Sequence, residues 1–455
     1  MDLSYRAFAD AIQLARAEYV QRELMGPRVV GVAIVDIEKF WISALALRSL
    51  GLTILPIRSP EVLTELTHSG FKIVVGQESW TALKESCREQ NLTLVPLPSL
   101  AEPASAVEAP AITDGGHILL SSGTTGRSKM VLYKSQADEA AWKWRTRVDA
   151  ATMCHVFDYG PWTGAGYKAP TQVWAHGGGI IVHQQGKRHE ALCDLEGTQA
   201  TLLPAFLSEI LAAPEGAFPR NESLQVILGG GTVTAAEISD AKRRISPHIL
   251  NALTATEVGR IASTPLNDPE DQRWHCIHPG RVVQIVDEED QPVLIGQVGR
   301  MRVLAGEGPS EYYNDPEATT AFFREGYFYP GDLAVAREDG RIALQGRTTE
   351  VINVKGTKVG PAQFEDQIRE MYGFTGVCLL SAQDGHGEEQ LYVVVETPQP
   401  LEQPVIKSLE RIMKDVTMTV CTIAALPRTG TGKVIRTQVQ AQVLAAAGTL
   451  ARKTP

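Results

Sequence analysis

The sequence has no C-x-x-C pair: its six cysteines, Cys87, Cys154, Cys193, Cys276, Cys378 and Cys421, are scattered singly. In a chain of 455 residues that spacing argues against a disulfide framework or a finger-type zinc module. It predicts reduced, packed thiols in a cytoplasmic protein. No stretch approaches ~18 uninterrupted apolar residues, so a membrane span is not expected. Residues 1–25 carry Asp2, Asp10, Glu18 and Glu23, which argues against a secretion signal. Positive charge is in deficit, with 43 Lys and Arg against 53 Asp and Glu, a net charge of −10. The basic residues are also dispersed, so no nucleic-acid face is expected, and the acidic excess reads as solubility. Internal repeats and low-complexity tracts are missing too. Nothing in the sequence sets an oligomeric state.

Hydrophobic residues make up 44% and charged residues 21% of the chain, an ordinary globular balance. The length suggests about three domain-sized units. In the first half, strand-like and helix-like patterns alternate. Residues 29–35, 53–57 and 72–75 read as strands, with helical spacing at Ile37, Trp41, Ala44 and Leu45 and again over 61–69. Residues 96–116 read as a long surface connection. The alternation returns from 140 to 250, with strands at 180–183, 201–203 and 226–228. It predicts α/β architecture, mostly parallel sheets flanked by helices. Over 282–303 short β runs and turn signals predict a small β subdomain. A smaller α+β unit begins near 347, with strands at 376–380 and 391–396 and helices at 361–370 and 404–414.

The most informative segment is Ser121-Ser122-Gly123-Thr124-Thr125-Gly126-Arg127-Ser128-Lys129, which follows the strand-like run His117-Ile118-Leu119-Leu120. Gly123 and Gly126 let a loop turn its backbone N–H groups onto an anion. The hydroxyls add donors for phosphate oxygens, and Lys129 adds a mobile positive charge. The glycine and lysine spacing departs from the Walker A pattern. A P-loop kinase would in any case release ADP.

Four further stretches follow in order: Asn251-Ala252-Leu253-Thr254-Ala255-Thr256-Glu257, Tyr329-Pro330-Gly331-Asp332, Asp339-Gly340-Arg341 with Gly346-Arg347, and Pro427-Arg428-Thr429-Gly430-Thr431-Gly432-Lys433-Val434-Ile435-Arg436. Singly, each has a plainer reading. Asp332 could cap a turn, Glu257 could be a solvated acid, and Lys433 could sit on a flexible Gly/Thr loop. Together, from about residue 29 to 440, they resemble the adenylate-forming superfamily of acyl-CoA synthetases, peptide-synthetase adenylation domains and luciferases.

The resemblance implies a large domain of residues 1–346 that binds ATP and an acid, and a mobile domain of residues 347–455. It implies activation of a carboxylic acid as an acyl-adenylate with release of pyrophosphate, then transfer to a thiol, with coenzyme A favoured. The alternatives are a carrier-protein phosphopantetheine or an amine as acceptor, and, in another class, a non-catalytic nucleotide-binding scaffold. Such a scaffold would need neither Glu257 nor Lys433. ATP, Mg²⁺ and coenzyme A are the implied cofactors. By position, Glu257 helps hold Mg²⁺, Thr256 contacts the α-phosphate, and Asp332 and Arg347 reach the ribose. Lys433 bridges acyl and phosphate oxygens in the first step. Asn251, Leu253 and Gly230 fall at the nucleotide, and Gly356 leaves room for pantetheine. Thr349 stands at the hinge in place of the usual charged pivot.

Leu253 replaces the tyrosine that stacks on adenine, which forfeits roughly 0.5–1.5 kcal/mol of aromatic contact. Ser128 and Met130 replace a proline and a glycine of the loop, and Met130 is expected to shift it. Family members are mostly longer at the N-terminus. Asp158, Tyr159 and Trp162, with Gly229 and Gly231, fall where the family lines its acyl site. With Tyr167, Trp174 and His176 close behind, the aromatic density points toward a flat or aryl acid, core packing being the competing use. Phe157-Asp158 also resembles the pair that holds an α-amino group, but the loop after it lacks the accompanying serine. His275-Cys276-Ile277-His278 lacks the second pair of ligands that a zinc finger needs and reads as pocket or packing.

Overall fold

The run Val-Val-Gly-Val-Ala is β-branched and apolar on both faces, the signature of a strand covered on both sides. In the computed structural model it forms β1 (Val29–Ala33) at the centre of a six-stranded sheet. The structure describes residues 3–66, 69–99, 115–121, 128–134, 148–157, 159–183, 187–231, 233–306, 308–350, 352–354, 357–383, 389–410, 418–428 and 434–451. The other strands of the first sheet are β2 (Thr53–Pro56), β3 (Ile73–Gly76), β4 (Thr93–Pro96), β5 (Gly116–Ser121) and β6 (Lys129–Lys134), in the order β4-β3-β1-β2-β5-β6. All neighbours are parallel except β5 and β6, which run antiparallel. The helix Ile37–Ser49 begins where Asp36 caps it, its carboxylate accepting from the N–H groups of Glu38 and Lys39 at 3.1 and 3.2 Å.

A second sheet holds β7 (Met153–Val156), β8 (Gly179–Val182), β9 (Gln199–Leu202), β10 (Gln225–Gly229), β11 (His248–Ala255) and β12 (Gly259–Pro265), in the order β12-β11-β10-β9-β7-β8. Only β12 is antiparallel to its neighbour. The third sheet is antiparallel: β13 (Val283–Val286), β14 (Val298–Leu304), β15 (Phe323–Arg324), β16 (Tyr327–Phe328), β17 (Asp332–Ala336) and β18 (Ile342–Arg347). Beyond it come the pair β19 (Ile352–Val354) and β20 (Thr357–Val359), and a sheet of β21 (Val377–Gln383), β22 (Glu389–Glu396) and β23 (Met418–Ile423). The expected architecture is therefore the one found. The helix expected over 404–414 is described from Gln403 to Leu409.

Several elements carry no strong sequence pattern: the helix Tyr5–Gln21, the edge strand β4, the strand β7, and the helix Gly164–Ala175, which contains Pro170. That last helix joins the first two sheets. Its Tyr167 is fully buried against Trp41, with ring centroids 4.9 Å apart, and Trp174 meets the same indole edge-on at 5.0 Å. No described helix is long and apolar enough to cross a membrane.

Candidate active site

The hairpin of β5 and β6 fixes both ends of the glycine- and hydroxyl-rich loop, because Ser121 pairs with Lys129 and Leu120 with Met130. Ser122, Gly123, Thr124, Thr125 and Gly126 lie outside the described residues. Met130 turns into the apolar core beneath the sheet and is 2% exposed. The shift expected of the loop falls on residues 122–127, outside the described residues. Lys129 is the first residue of β6, and its ammonium lies 3.2 Å from the centre of the Phe322 ring and 5.3 Å from that of Tyr312. Burial lowers its pKa. Glu257 and Asp315 oppose that shift electrostatically, and Arg347 adds to it.

Glu257 comes from a different sheet. Thr256 to Val258 form the turn between β11 and β12, and Gly259 closes it with φ +73°, a conformation costly for a side chain. Asn251 and Leu253 precede the turn on β11, and a register shift falls between Leu253 and Thr254. Leu253 packs against the apolar cluster of the β subdomain. Glu257 is 6% exposed, and the hydroxyl of Tyr312 donates to its Oε1 at 2.8 Å. Burial raises the pKa of that phenol far above the ordinary tyrosine value, and the charge of Glu257 raises it further. The carbonyl of Thr256 accepts from the Lys168 ammonium at 2.9 Å and from the hydroxyl of Tyr133 on β6. Lys168 also sits over the Tyr133 ring at 3.9 Å. These contacts tie the second sheet's turn to the first sheet's hairpin.

Strands β7, β9, β10 and β11 run parallel, so their C-terminal ends share one edge. β8 and β9 flank β7 on opposite sides, and such a reversal opens a crevice at the strand's C-terminal end. Tyr159 and Trp162 follow β7 at that point, and Asp158 lies outside the described residues. The Trp162 ring covers Gly160, where an added Cβ would meet it at 2.0 Å. Tyr159 packs on Phe206 at 5.3 Å, and burial raises its pKa. Gly229, Gly230 and Gly231 leave the end of β10, with Gly229 in register with Ala252. Gly230 has φ +82°, and a Cβ there would lie 2.8 Å from Leu203. Tyr167 and Trp174 are engaged in the core, and Tyr159 packs against the buried cluster of the second sheet.

Asp332 begins β17 and Arg347 ends β18; they pair in register, and Arg347 Nε meets Asp332 Oδ1 at 2.9 Å. Thr349 lies in the short helical turn Thr348–Glu350. Gly356 and Lys433 are outside the described residues. The base of the lysine loop is described: Arg428 bridges to Val434, and Ile435 N–H donates to the Pro427 carbonyl at 2.8 Å. Arg436 grips both carboxylate oxygens of Glu365 at 2.6 and 2.9 Å and lies 3.4 Å from Glu350. His275 exchanges backbone hydrogen bonds with Ile342, and His278 meets Ser263 at 3.1 Å. Among the described residues no group of three or more His, Cys, Asp or Glu could hold a metal.

Glu257 is a hard oxygen donor, and Mg²⁺ in nucleotide sites is commonly held by one or two carboxylates together with phosphates. A buried carboxylate with a single tyrosine donor fits that ion. The sequence reading missed Tyr133, Lys168, Tyr312 and Phe322, which arrange the loop lysine and the acid. The segment Tyr312-Tyr313-Asn314-Asp315-Pro316 carried no signal that reading used.

The family model described as AMP-binding enzyme matches residues 2–313. A medium/long-chain-fatty-acid–CoA ligase of Mycobacterium tuberculosis is 25% identical over 353 residues, covering 72% of this chain and 61% of that protein. A salicylyl-CoA synthase / salicylate adenylyltransferase of Streptomyces is 26% identical over 327 residues, covering 66% of this chain and 59% of that one. The chain thus spans about three-fifths of the length of these two relatives. The ATP-bound crystal structure of MatB from Rhodopseudomonas palustris superposes with a TM-score of 0.85 at 20% identity, over 98% of this chain and 94% of that one. The amide bond synthetase McbA from Marinactinospora thermotolerans gives 0.82 at 18%, over 96% and 94%. At these identities the structural likeness establishes the fold, a large N-terminal and a small C-terminal domain.

Proposed function

The chain belongs to the AMP-binding enzyme family, and we propose that it is an AMP-forming ligase that activates a carboxylic acid with ATP and passes the acyl group to a thiol, coenzyme A. A carboxylate oxygen attacks the α-phosphorus and pyrophosphate leaves, so two anions must be brought together. The single observation that carries this reading is that a lysine and a buried acid from two sheets meet at one tyrosine: the Lys129 ammonium lies 5.3 Å from the centre of the Tyr312 ring, whose hydroxyl donates to Glu257 at 2.8 Å. Positive side chains for a triphosphate and a buried carboxylate for its cation are the groups such a displacement needs. Mg²⁺ at Glu257 would neutralise phosphate charge. Thr256, held by Lys168 and Tyr133, presents its hydroxyl to the α-phosphate. Asp332 accepts from the ribose hydroxyls and is itself oriented by Arg347.

Under this proposal residues 1–346 hold ATP and acid, and residues 347–455 move about Thr349 to bring in Lys433. Gly356 then admits the pantetheine arm. The crevice after β7 takes the acid, with Tyr159 and Trp162 as its aromatic wall. We place the reaction in the cytoplasm. An amine acceptor is the second reading, favoured by the shared fold of an amide bond synthetase. Acid-dependent exchange of labelled pyrophosphate into ATP, screened over aryl, fatty and amino acids, tests the first step. Supplying coenzyme A, carrier protein or amine to the active acid then separates the acceptors. Lys433→Ala should nearly abolish exchange while sparing thiol attack on a supplied acyl-adenylate. Equal loss of both steps would remove the moving-lysine model, and no exchange with any acid would remove the whole reading.

A further inference from the structure

We propose that Tyr312 is the positioning residue that orients the Glu257 carboxylate toward the triphosphate and sets its position by the strand that follows the phosphate loop; this rests on the reading of Glu257 as the cation-holding acid. The two residues are 55 positions apart, yet the phenol donates to Oε1 at 2.8 Å in a site where both are almost fully buried. Among the described residues that is the only hydrogen bond to the Glu257 carboxylate. A buried ionised carboxylate is costly unless it is hydrogen-bonded, and one donor on one oxygen still leaves lone pairs for a cation.

The backbone around Tyr312 is fixed at several points. Tyr312 forms an antiparallel bridge with Val131 of β6, and Tyr313 N–H donates to the Met130 carbonyl at 2.8 Å. Tyr312 N–H donates to Thr319 Oγ1 at 2.9 Å, and Asn314 Nδ2 donates to the Ser69 carbonyl at 2.8 Å. Phe322 and Phe323 hold the ring edge-on at 6.0 and 5.4 Å. The phenol therefore moves with β6, whose first residue is Lys129. Through it the acid on the second sheet keeps a set distance from β6 on the first.

A buried phenol also needs a partner for its own sake, so a purely structural role makes a different prediction. The test is the ratio of dissociation constants for a non-hydrolysable ATP analogue in EDTA and in Mg²⁺, measured by calorimetry. Outer-sphere partners of metal-holding carboxylates typically change metal affinity by about 10–100-fold. Tyr312→Phe should lower the ratio about tenfold, or to one if the wild-type ratio is smaller, with the EDTA value within about twofold of wild type. Glu257→Gln should lower it as far, and the double variant no further. If Glu257→Gln lowers the ratio and Tyr312→Phe does not, the positioning role is refuted while the acid's role stands. If Tyr312→Phe weakens binding equally in both buffers, Tyr312 is structural only. If Glu257→Gln leaves the ratio untouched, the reading of Glu257 falls and the proposal with it.

Discussion

Replacing Arg436 by Met tests how the C-terminal unit presents its lysine loop. Arg436 opens the helix Arg436–Ala451 directly after that loop. It donates to both Glu365 oxygens at 2.6 and 2.9 Å, to the Leu379 carbonyl at 2.8 Å and to Cys378 Sγ at 3.3 Å. Met would fill the stem's volume and leave the Glu365 carboxylate, 8% exposed, without its counter-charge. Removing one partner of a buried pair costs about 3–5 kcal/mol. The Leu379 N–H still donates to Glu365 at 2.7 Å, and the arginine side chain is 23% exposed, so the low end, about 3 kcal/mol, is expected. The assay is urea unfolding read through hydrogen exchange of β21 and β22, because two domains need not unfold as one. The companion Arg436→Met/Glu365→Leu should regain more than half of the loss, since an apolar pair removes the stranded charge. A single-variant cost under about 1 kcal/mol, or a double variant as weak as the two losses summed, would refute the buried-pair reasoning. Pyrophosphate exchange should fall with Arg436→Met while the KM for ATP stays near wild type, because the proposed nucleotide contacts lie elsewhere.

His155 is buried with its Nδ1 3.0 Å from His183 Nε2, and burial, helped by His183, pushes its pKa down to about 4. The unfolded chain would protonate it near ~6.5 and so binds more protons between those values; stability therefore falls as pH drops through that window, by roughly 2 kcal/mol at pH 5. His155→Gln should shrink the gap between urea midpoints at pH 7 and 5, and an unchanged gap would refute this. Under the proposed ribose role of Asp332, Asp332→Ala removes charge-assisted hydrogen bonds worth about 1.5–3 kcal/mol each and should raise the KM for ATP at least about tenfold, with little change for the acid; an unchanged ATP KM would take Asp332 out of the ribose site. Gly230→Ala forces a side chain into φ +82° and against Leu203, at about 1–2 kcal/mol for the backbone alone. Adding Leu203→Ala should relieve only the steric part, and full rescue of the thermal midpoint would show that the backbone carries no strain.

The parts of the molecule that were legible in the sequence are those whose physics is local. β1, β2 and β3 are short β-branched runs, and the phosphate hairpin is one contiguous stretch of glycine, hydroxyl and lysine. β4 was not legible because its residues are exposed or only half covered. β7 was not legible because His155 interrupts its apolar pattern. The helix Gly164–Ala175 contains two glycines and a proline, residues that lower helix propensity, and tertiary packing around Tyr167 overrides them. Aromatic density near residue 165 was visible in the sequence, but direction was not, and only the fold shows that Tyr167 and Trp174 face Trp41. Tyr312, Tyr133 and Lys168 act on residues 55, 123 and 88 positions away, a relation that no local pattern encodes. The mobile charge expected of Lys129 meets an aromatic seat contributed by Phe322, which is equally remote in sequence.

The placement of the acid has a mechanical consequence. Under the proposed function the glycine- and hydroxyl-rich loop wraps a triphosphate, and a carboxylate carried on that same loop would depend on its conformation. Here Glu257 sits instead on a tight turn of a second sheet, and Thr256 beside it is fixed through its carbonyl by Lys168 and Tyr133. The acid's ties to the first sheet run through Tyr133 of β6, which donates to the neighbouring Thr256 carbonyl, and through Tyr312, which bridges to Val131 of β6, so none of them is made through residues 122–127. Under the proposed function, such a placement keeps the cation's carboxylate at a set distance from β6. Loosening β6 should therefore weaken binding of a non-hydrolysable ATP analogue more in Mg²⁺ than in EDTA, and an equal loss in both would refute this.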